Sequence, residues 1–172
     1  VWGSDVDEAV VRLLTDVMSC LRAIKPDILI EFRQSYVGPV MRTFGNLFRA
    51  GDCPNDSQGN RRRTLDIRLL CGSTACHADM LMWHLDDPVD SAALQLLNVL
   101  FSVPQISVPF DRISTDQRTM LQFWLGWWRE HRTCLLDGVL AVRHPELDYT
   151  QAETTTQHER IVLSLIHISE PT

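Results

Sequence analysis

The sequence predicts an α/β protein, namely the C-terminal half of a (β/α)8 barrel followed by the beginning of an all-β domain. Three observations indicate this. Short apolar segments alternate with amphipathic helical patterns, as strands and helices do in parallel sheets. After Gly138 the pattern changes to strand-like segments alone. A doubly wound sheet would show the same alternation, but no GxGxxG motif supports a dinucleotide-binding fold.

The composition fits one globular domain or part of a larger one. The chain has 172 residues, of which 45% are apolar, and a formal net charge of −6. A packed core is therefore expected, whereas a nucleic-acid-binding surface, which is usually basic, is not. None of the apolar runs approaches the roughly 20 residues that cross a bilayer. The five cysteines form no CxxC pair, which indicates reduced thiols and a cytoplasmic location.

The first elements are a helix and two short strands. Apolar residues at positions 10, 13, 14, 17, 18 and 21 recur with helical spacing. Asp5 can cap this helix and Pro26 ends it. Residues 27–32, DILIEF, are typical of a short buried strand. A weak helical stretch over 39–43 precedes a second strand over 45–50, GNLFRA.

The middle of the chain repeats the strand–helix alternation. Asp56 or Ser57 can cap a helix that ends at Gly72. Residues 74–82 then predict a strand, and residues 90–101 predict a leucine-rich helix.

The last elements mark the change of pattern. Residues 104–110 predict a fourth strand, and a long helix follows from its cap at Thr115 to about Leu136. Beyond Gly138, the segments VLAVRH and ERIVL predict strands with a polar span between them.

This order divides the chain into three parts. Residues 1–137 are expected to form a partial barrel, and residues 138–162 the beginning of a C-terminal β-domain. Residues 163–172, LSLIHISEPT, resemble a translated sequencing-adapter tail, and we expect them to be a non-native segment. Together with a start that lacks methionine, this leads us to expect an internal piece of a longer protein.

Polar residues cluster after the predicted strands. In a barrel, the carboxyl ends of the strands form the face that carries the chemistry. Hydroxyl-binding polar groups, aromatic rings and acids at that face are suited to a polyol ligand. The residues concerned are Glu31, Arg33, Gln34, Tyr36, Arg49, Asp52, Cys53, Asn55, Asp56, His77, Asp79, Trp83, His84 and Asp111.

Several of these segments resemble glycoside hydrolase family 36, the melibiase-type α-galactosidases. The resemblance is carried by IEFRQSY, GNLFRAGDCPND, NRRRTLDIRLL, ACHADMLMWH and the helix FWLGWWREHRTCLLDG, and it covers residues 1–162. Phe48 to Asp56 takes the place of the family's Trp-x-Ser-Asp-Asp/Asn-Thr-Asp segment. Arg33-Gln34-Ser35 stands where the family has a glycine-rich run, and Gly51 stands where it has a serine.

The resemblance implies a retaining glycosidase that acts on an oligosaccharide or α-galactoside without a cofactor or metal. Asp52 would be its general acid/base, which has to stay protonated beside a second carboxylate. The nucleophile would lie upstream, in a Lys-x-Asp segment, so we expect this chain alone to be inactive. The full-length protein is compatible with a homo-oligomer. The implied substrate-binding residues are Arg33, Gln34, Arg49, Cys53, Trp83 and His84.

Other functions compete with this interpretation. A non-catalytic carbohydrate-binding or structural barrel remnant would need no acid at position 52. An isomerase that used Glu31 and His77 would need a glycine-rich phosphate loop after the last strand, and PFDRIST contains no glycine.

The polar residues also have structural explanations. Asp52 and Asp56 are common residue types in a loop that caps a helix. Arg61, Arg62 and Arg63 are typical of a solvated helix face. Arginines that end an apolar strand need partners, so we expect Arg33 and Arg49 each to meet a carboxylate or a sugar hydroxyl, and Glu31 is the suspected partner. His77, His84, Asp79 and Cys76 match no metal-site spacing.

Overall fold

The computed structural model describes residues 5–33, 37–53 and 55–165, and these form a mixed α/β fold. The secondary structure, in chain order, is α1 (Val6–Ile24), β1 (Glu31–Arg33), a 3-10 turn (Met41–Thr43), β2 (Leu47–Arg49), α2 (Ser57–Cys71), β3 (Ala75–Leu81), α3 (Val89–Leu97), β4 (Val103–Ile106), α4 (Thr115–Asp137), β5 (Val139–Arg143), a second 3-10 turn (Pro145–Leu147), β6 (Gln151–Thr155) and β7 (Arg160–Ser164). The predicted alternation of strands and helices is confirmed.

The first four strands form one parallel sheet in the order β1-β2-β3-β4. Phe32 lies opposite Phe48, and Arg49 lies opposite His77. Each strand therefore pairs with the next one along the chain, and the carboxyl ends of all four point to the same edge. A bulge between His77 and Met80 shifts the register of β3 against β4.

The last three strands form a separate antiparallel sheet in the order β5-β6-β7. Strand β6 was not predicted, because its sequence QAETT has no large apolar residue. Only Ala152 and Thr154 of this strand are buried, and they alternate with more exposed neighbours. Strand β7 runs through Ser164, two residues into the segment that we expect to be a non-native tail.

The first strand is shorter than predicted because a side chain replaces part of the ladder. Asn46 accepts a hydrogen bond from the Ile30 N–H at 2.8 Å and donates one to the Ile28 carbonyl at 3.0 Å. Residues 27–30 therefore run beside the next strand without forming strand pairs.

The helix boundaries follow the capping residues. Asp5 caps α1, and Asp56 caps α2 by accepting a hydrogen bond from the Gly59 N–H at 2.8 Å. Gly72 ends α2 with a positive φ of 58°, a conformation that favours glycine. Helix α4 is capped by Ser114 rather than by Thr115, one residue before the predicted cap.

Two apolar clusters form the core. The larger one joins Leu81 of β3, Leu96 of α3 and Leu135 of α4 with Ala152 of the antiparallel sheet. The smaller one lies between β2, α2 and β3 and contains Phe48, Ile67, Cys71 and Cys76. These clusters hold the carboxyl edge of the parallel sheet in place.

Helix α1 contributes little to this core. Met18 is its one buried residue, while Leu13 remains 56% exposed and Val17 40% exposed. The apolar spacing thus correctly predicted the helix, but most of that apolar face is not covered by the described residues.

Candidate functional site

Three charged side chains meet at the carboxyl edge of the parallel sheet. Arg49 is the last residue of β2, Asp52 lies in the loop that follows, and Asp79 lies within β3. The Nη2 atom of Arg49 donates to Oδ1 of Asp52 at 3.2 Å and also makes a short hydrogen bond to Oδ1 of Asp79. One guanidinium nitrogen therefore bridges the two carboxylates.

The two carboxylates differ in their access to solvent. The side chain of Asp52 is 59% exposed, whereas that of Asp79 is completely buried. Burial alone would raise the pKa of Asp79. Hydrogen bonds from Arg49 and from the main-chain N–H groups of Cys53 and Met80 outweigh burial and hold this pKa below its usual value. Asp79 is thus a buried anion.

Arg49 is also buried, and the bond to Asp79 is the main cause that raises its pKa. Its Nε atom has no hydrogen-bond partner among the described residues. The suggested pairing of Arg49 with Glu31 is wrong, because the Glu31 carboxylate bonds instead to Nε2 of His77 at 2.9 Å. The expectation that Arg49 needs a carboxylate is confirmed, with Asp79 and Asp52 as the partners.

The loop after β2 is fixed on both sides of Asp52. The N–H of Cys53 donates to Oδ2 of Asp79 at 2.5 Å, and the N–H of Ala50 donates to the His77 carbonyl at 3.1 Å. The Cys53 thiol is buried and donates to the Gly51 carbonyl at 3.0 Å. Burial raises its pKa to about 11. Cys53 was predicted to bind substrate, but its thiol is enclosed in the loop and stays neutral at ordinary pH.

Asn60 is a part of this site that the sequence reasoning missed. It lies in α2, is 1% exposed, and its side chain bonds to both main-chain groups of Asp79. The N–H of Asp79 donates to Oδ1 of Asn60 at 3.1 Å, and Nδ2 of Asn60 donates to the Asp79 carbonyl at 3.2 Å. The sequence contained a signal for this role, because asparagine is a poor helix former. An asparagine inside a predicted helix therefore indicates that its side chain makes a specific contact.

A cleft of about 500 Å³ adjoins Asp52. Arg63 stands at its wall and donates from Nη1 to the Asp52 carbonyl at 3.2 Å. The lining combines charged groups with an apolar wall, which suits a ligand with both hydroxyl and carbon faces. The lining residues are Val37, Gly51, Asp52, Arg63, Asp66, Ile67 and Leu70.

The other residues predicted to bind substrate differ in position and burial. Arg33 is exposed at the end of β1, where it lies opposite Arg49 of β2, and Gln34 lies outside the described residues. Trp83 is buried in the larger core, where its Nε1 donates to Gln117 at 3.3 Å, so its predicted contact with substrate is corrected to a packing role. His84 is exposed, and its N–H donates to the Asp87 carboxylate at 2.9 Å.

The arginine triplet divides between the surface and the interior. Arg62 and Arg63 are exposed, as predicted, but Arg61 is only 7% exposed. Its Nη1 donates to Oδ1 of Asn98 at 2.6 Å and its Nε to the Asp148 carbonyl at 2.9 Å. The predicted solvated position of Arg61 is therefore wrong, because tertiary carbonyl and amide oxygens enclose it.

Candidate metal clusters and membrane-spanning helices are both absent from the described part of the chain. Its His, Cys, Asp and Glu side chains form no group of three or more that could hold a metal ion. Its helices include none that is long and apolar enough to span a membrane.

Comparisons with protein-family models, with curated proteins and with solved structures find no match to this chain.

Proposed function

We propose that this chain is the C-terminal half of a glycoside hydrolase barrel of the melibiase type, with Asp52 as its general acid/base. The observation that carries the proposal is the position of Asp52. Its exposed carboxylate lies after a strand of a parallel sheet, at the carboxyl edge, beside a cleft of about 500 Å³. Chemistry in barrel enzymes takes place at this edge.

The strand order supports a barrel over a doubly wound sheet. Strands β1 to β4 are neighbours in chain order and are all parallel. Doubly wound sheets bind their ligands at a point where the strand order reverses, and the four described strands contain no such reversal. Half of an eight-stranded barrel would contain four such strands, and this supports the proposal.

Asp79 is unsuited to the role of second catalytic carboxylate. It is fully buried, and both of its carboxylate oxygens accept hydrogen bonds. A nucleophile has to reach the anomeric carbon of the sugar, so it must come from another strand, as in the Lys-x-Asp segment of the resembled family. Asp52 would protonate the departing glycosidic oxygen in the first step and deprotonate the attacking water in the second.

The proposal is tested by Asp52→Asn in the protein that includes the upstream strand. An acid contributes most when the leaving group is poor. Turnover of an α-galactosyl disaccharide should therefore fall by about 10²- to 10⁴-fold, with a smaller loss for a nitrophenyl α-galactoside. Azide should restore turnover of the nitrophenyl substrate and yield the α-galactosyl azide, because this nucleophile needs no general base.

Asp56→Asn is the matched control. Asp56 lies in the same loop and caps α2, and asparagine caps helices equally well. The control should keep full activity. The present chain alone should hydrolyse no nitrophenyl α-galactoside, and turnover by it would contradict the proposed division of the barrel.

A non-catalytic carbohydrate-binding function is the alternative, and one observation favours it. Asp52 is bonded to a guanidinium, and a cation beside a carboxylate favours the ionised form, whereas a general acid has to be protonated when it reacts. On this alternative, the protein with the upstream strand binds galactosides in calorimetry but does not cleave them. Neither the wild type nor Asp52→Asn then releases galactose from the substrates.

A further inference from the structure

We propose that Arg63 and Asp66 are a pair of substrate-binding residues in the cleft beside Asp52, where together they bind a hydroxyl group of a neutral sugar. This inference deepens the proposed function and rests on it for the assignment of the cleft to a sugar. Neither residue was among those predicted from the sequence to bind substrate.

One wall of the cleft is a face of helix α2. Arg63 and Asp66 are three positions apart, so they are neighbours on the helix surface, and both line the cleft. Ile67 and Leu70 continue the same wall as an apolar surface. A cation, a carboxylate and an apolar surface therefore stand together, which suits the hydroxyl groups and the carbon face of a sugar ring.

The carboxylate of Asp66 is held by Tyr149, which lies in the connection between β5 and β6. The Tyr149 hydroxyl donates to Oδ1 of Asp66 at 2.5 Å. This bond is the main cause that raises the pKa of Tyr149 to about 12, so the phenol stays protonated and remains a donor at ordinary pH. None of the described residues donates to Oδ2 of Asp66, which leaves this oxygen as an acceptor for a ligand in the cleft.

Tyr149 is itself fixed, because the connection between β5 and β6 is bound to α2. Its φ is 58°, a left-handed conformation that a residue with a side chain adopts when contacts hold it there. The preceding Asp148 makes such contacts. Its carboxylate accepts from Nε2 of Gln58 at 2.7 Å and from Nη1 of Arg62 at 3.2 Å. Tyr149 therefore reaches Asp66 from a segment that α2 holds in place.

The guanidinium of Arg63 has its position because residue 51 is a glycine. A Cβ atom at Gly51 would lie 2.6 Å from Nη1 of Arg63, which is closer than van der Waals contact allows. The same Nη1 donates to the Asp52 carbonyl at 3.2 Å. The φ of Gly51 is not positive, so an alanine fits the backbone there. A side chain at position 51 would thus displace the Arg63 guanidinium without straining the main chain.

The mixed charges of the cleft favour a neutral hydroxyl group over an ion. A hydroxyl group can accept from Arg63 and donate to Oδ2 of Asp66 at once, because it has one proton and two lone pairs. A ligand anion would meet the acidic side chains of Asp52 and Asp66, and a ligand cation would meet Arg63. A neutral polyhydroxylated ring is therefore the class of ligand that suits all three side chains.

The test is a ¹H–¹⁵N NMR titration of the 172-residue chain with methyl α-D-galactopyranoside and, separately, with methyl α-D-glucopyranoside. We expect saturable shifts of the Gly51, Arg63 and Asp66 amides with at least one of these glycosides. Asp66→Asn should weaken binding by about tenfold or more, because it removes a hydrogen bond to a charged acceptor. Inorganic phosphate should cause no saturable shift of the same amides.

Tyr149→Phe tests the positioning of Asp66 separately. It removes the bond to Asp66 and leaves the carboxylate in the chain, so we expect the affinity for the glycoside to fall about threefold to tenfold. In a protein that already carries Asp66→Asn, the same change should have no further effect, because the two residues act through one contact. If Tyr149 only supported the fold, its loss would add to that of Asp66→Asn.

Matched controls separate local effects from general ones. Gly51→Ala should weaken binding by about tenfold because it displaces Arg63, whereas Gly126→Ala should not, since a Cβ atom at Gly126 meets no atom within 4 Å. Asp111→Asn is the control for Asp66→Asn. Asp111 is exposed and is not among the described residues that line the cleft, so its replacement should leave the affinity unchanged. If Asp66→Asn does not fold, as judged by circular dichroism, the comparison of Gly51→Ala with Gly126→Ala decides.

The inference is overturned if neither glycoside shifts these amides saturably, if phosphate alone does so, or if Asp66→Asn and Gly51→Ala both leave the affinity unchanged. Its failure differs from that of the proposed function. Binding that depends on Asp66, together with failure of azide rescue at Asp52, would reject the glycosidase and keep the binding pair. Azide rescue at Asp52 with unchanged affinity in Asp66→Asn would reject the binding pair and keep the glycosidase.

Discussion

Replacing Arg68 by methionine tests how the C-terminal end of α4 is held against α2. Arg68 lies in α2, is only 7% exposed, and donates to main-chain carbonyl oxygens at the ends of other elements. Its Nη1 bonds to Phe101 at 2.9 Å and to Leu135 at 2.5 Å, and its Nη2 bonds to Leu136 at 2.8 Å. Leu135 and Leu136 belong to the last turn of α4, whose carbonyl groups have no partner within the helix.

The expected loss of stability follows from these contacts. Hydrogen bonds from a charged donor contribute about 1.5–3 kcal/mol each, so three of them contribute roughly 4.5–9 kcal/mol. Burial of the guanidinium, which lowers the pKa of Arg68, costs several kcal/mol and offsets part of this sum. Methionine fills a similar volume without that cost. We expect the free energy of unfolding to fall by about 3 kcal/mol.

The assay is urea denaturation followed by circular dichroism, with Arg62→Met as the control. Arg62 lies on the same helix, but its side chain is 50% exposed and bonds to Asp148 at 3.2 Å. Its loss should cost about 0–1 kcal/mol. If the free energies of unfolding of Arg68→Met and Arg62→Met differ by less than about 1 kcal/mol, the buried carbonyl groups do not depend on Arg68 and the reasoning is refuted.

Two more predictions concern local features of the fold. Burial raises the pKa of Cys53 to about 11 and that of Cys76 to about 12, from an ordinary value of 9.0. Between pH 9 and 11 the folded state therefore binds more protons than the unfolded state, and the free energy of unfolding should fall as the pH rises through this window. A Cys53→Ala, Cys76→Ala double variant should show a flatter pH dependence in denaturant titrations, and an equal slope would contradict the assignment. Asp56→Ala should lower the free energy of unfolding by about 1 kcal/mol, because it removes the side-chain cap of α2. An Asp56→Ala protein that is as stable as Asp56→Asn in thermal denaturation would show that the cap contributes nothing.

The elements that the sequence predicted well depend on residues close together in the chain. Helix α4 was predicted to run from Thr115 to about Leu136 and runs from Thr115 to Asp137. Asp56 and Gly72 mark the ends of α2 as predicted. Caps and apolar periods act within a few positions, so a linear pattern contains them. Strand β6 has no such pattern, because its pairing with β5 and β7 rather than its apolar content makes it a strand.

The candidate site also combines features that the sequence predicted with contacts that only the fold determines. Asp52 could be placed after a strand from the sequence, and its exposure at the carboxyl edge agrees with that expectation. The buried partner of Arg49 could not be predicted, because Asp79 lies 30 positions away and Glu31 was an equally charged candidate. The burial of Arg61 and Trp83 also depends on groups far along the chain, namely Asn98 and Gln117.

By itself, the sequence determined the alternation of strands and helices, the helix caps and the loop that carries Asp52. These features follow from backbone preferences and from the spacing of neighbouring side chains. Only the tertiary structure decided that a buried Asp79 shares one guanidinium with Asp52 and fixes the Cys53 amide. The energy of a charge depends on its burial and on its partners in space, and neither is a property of the linear chain.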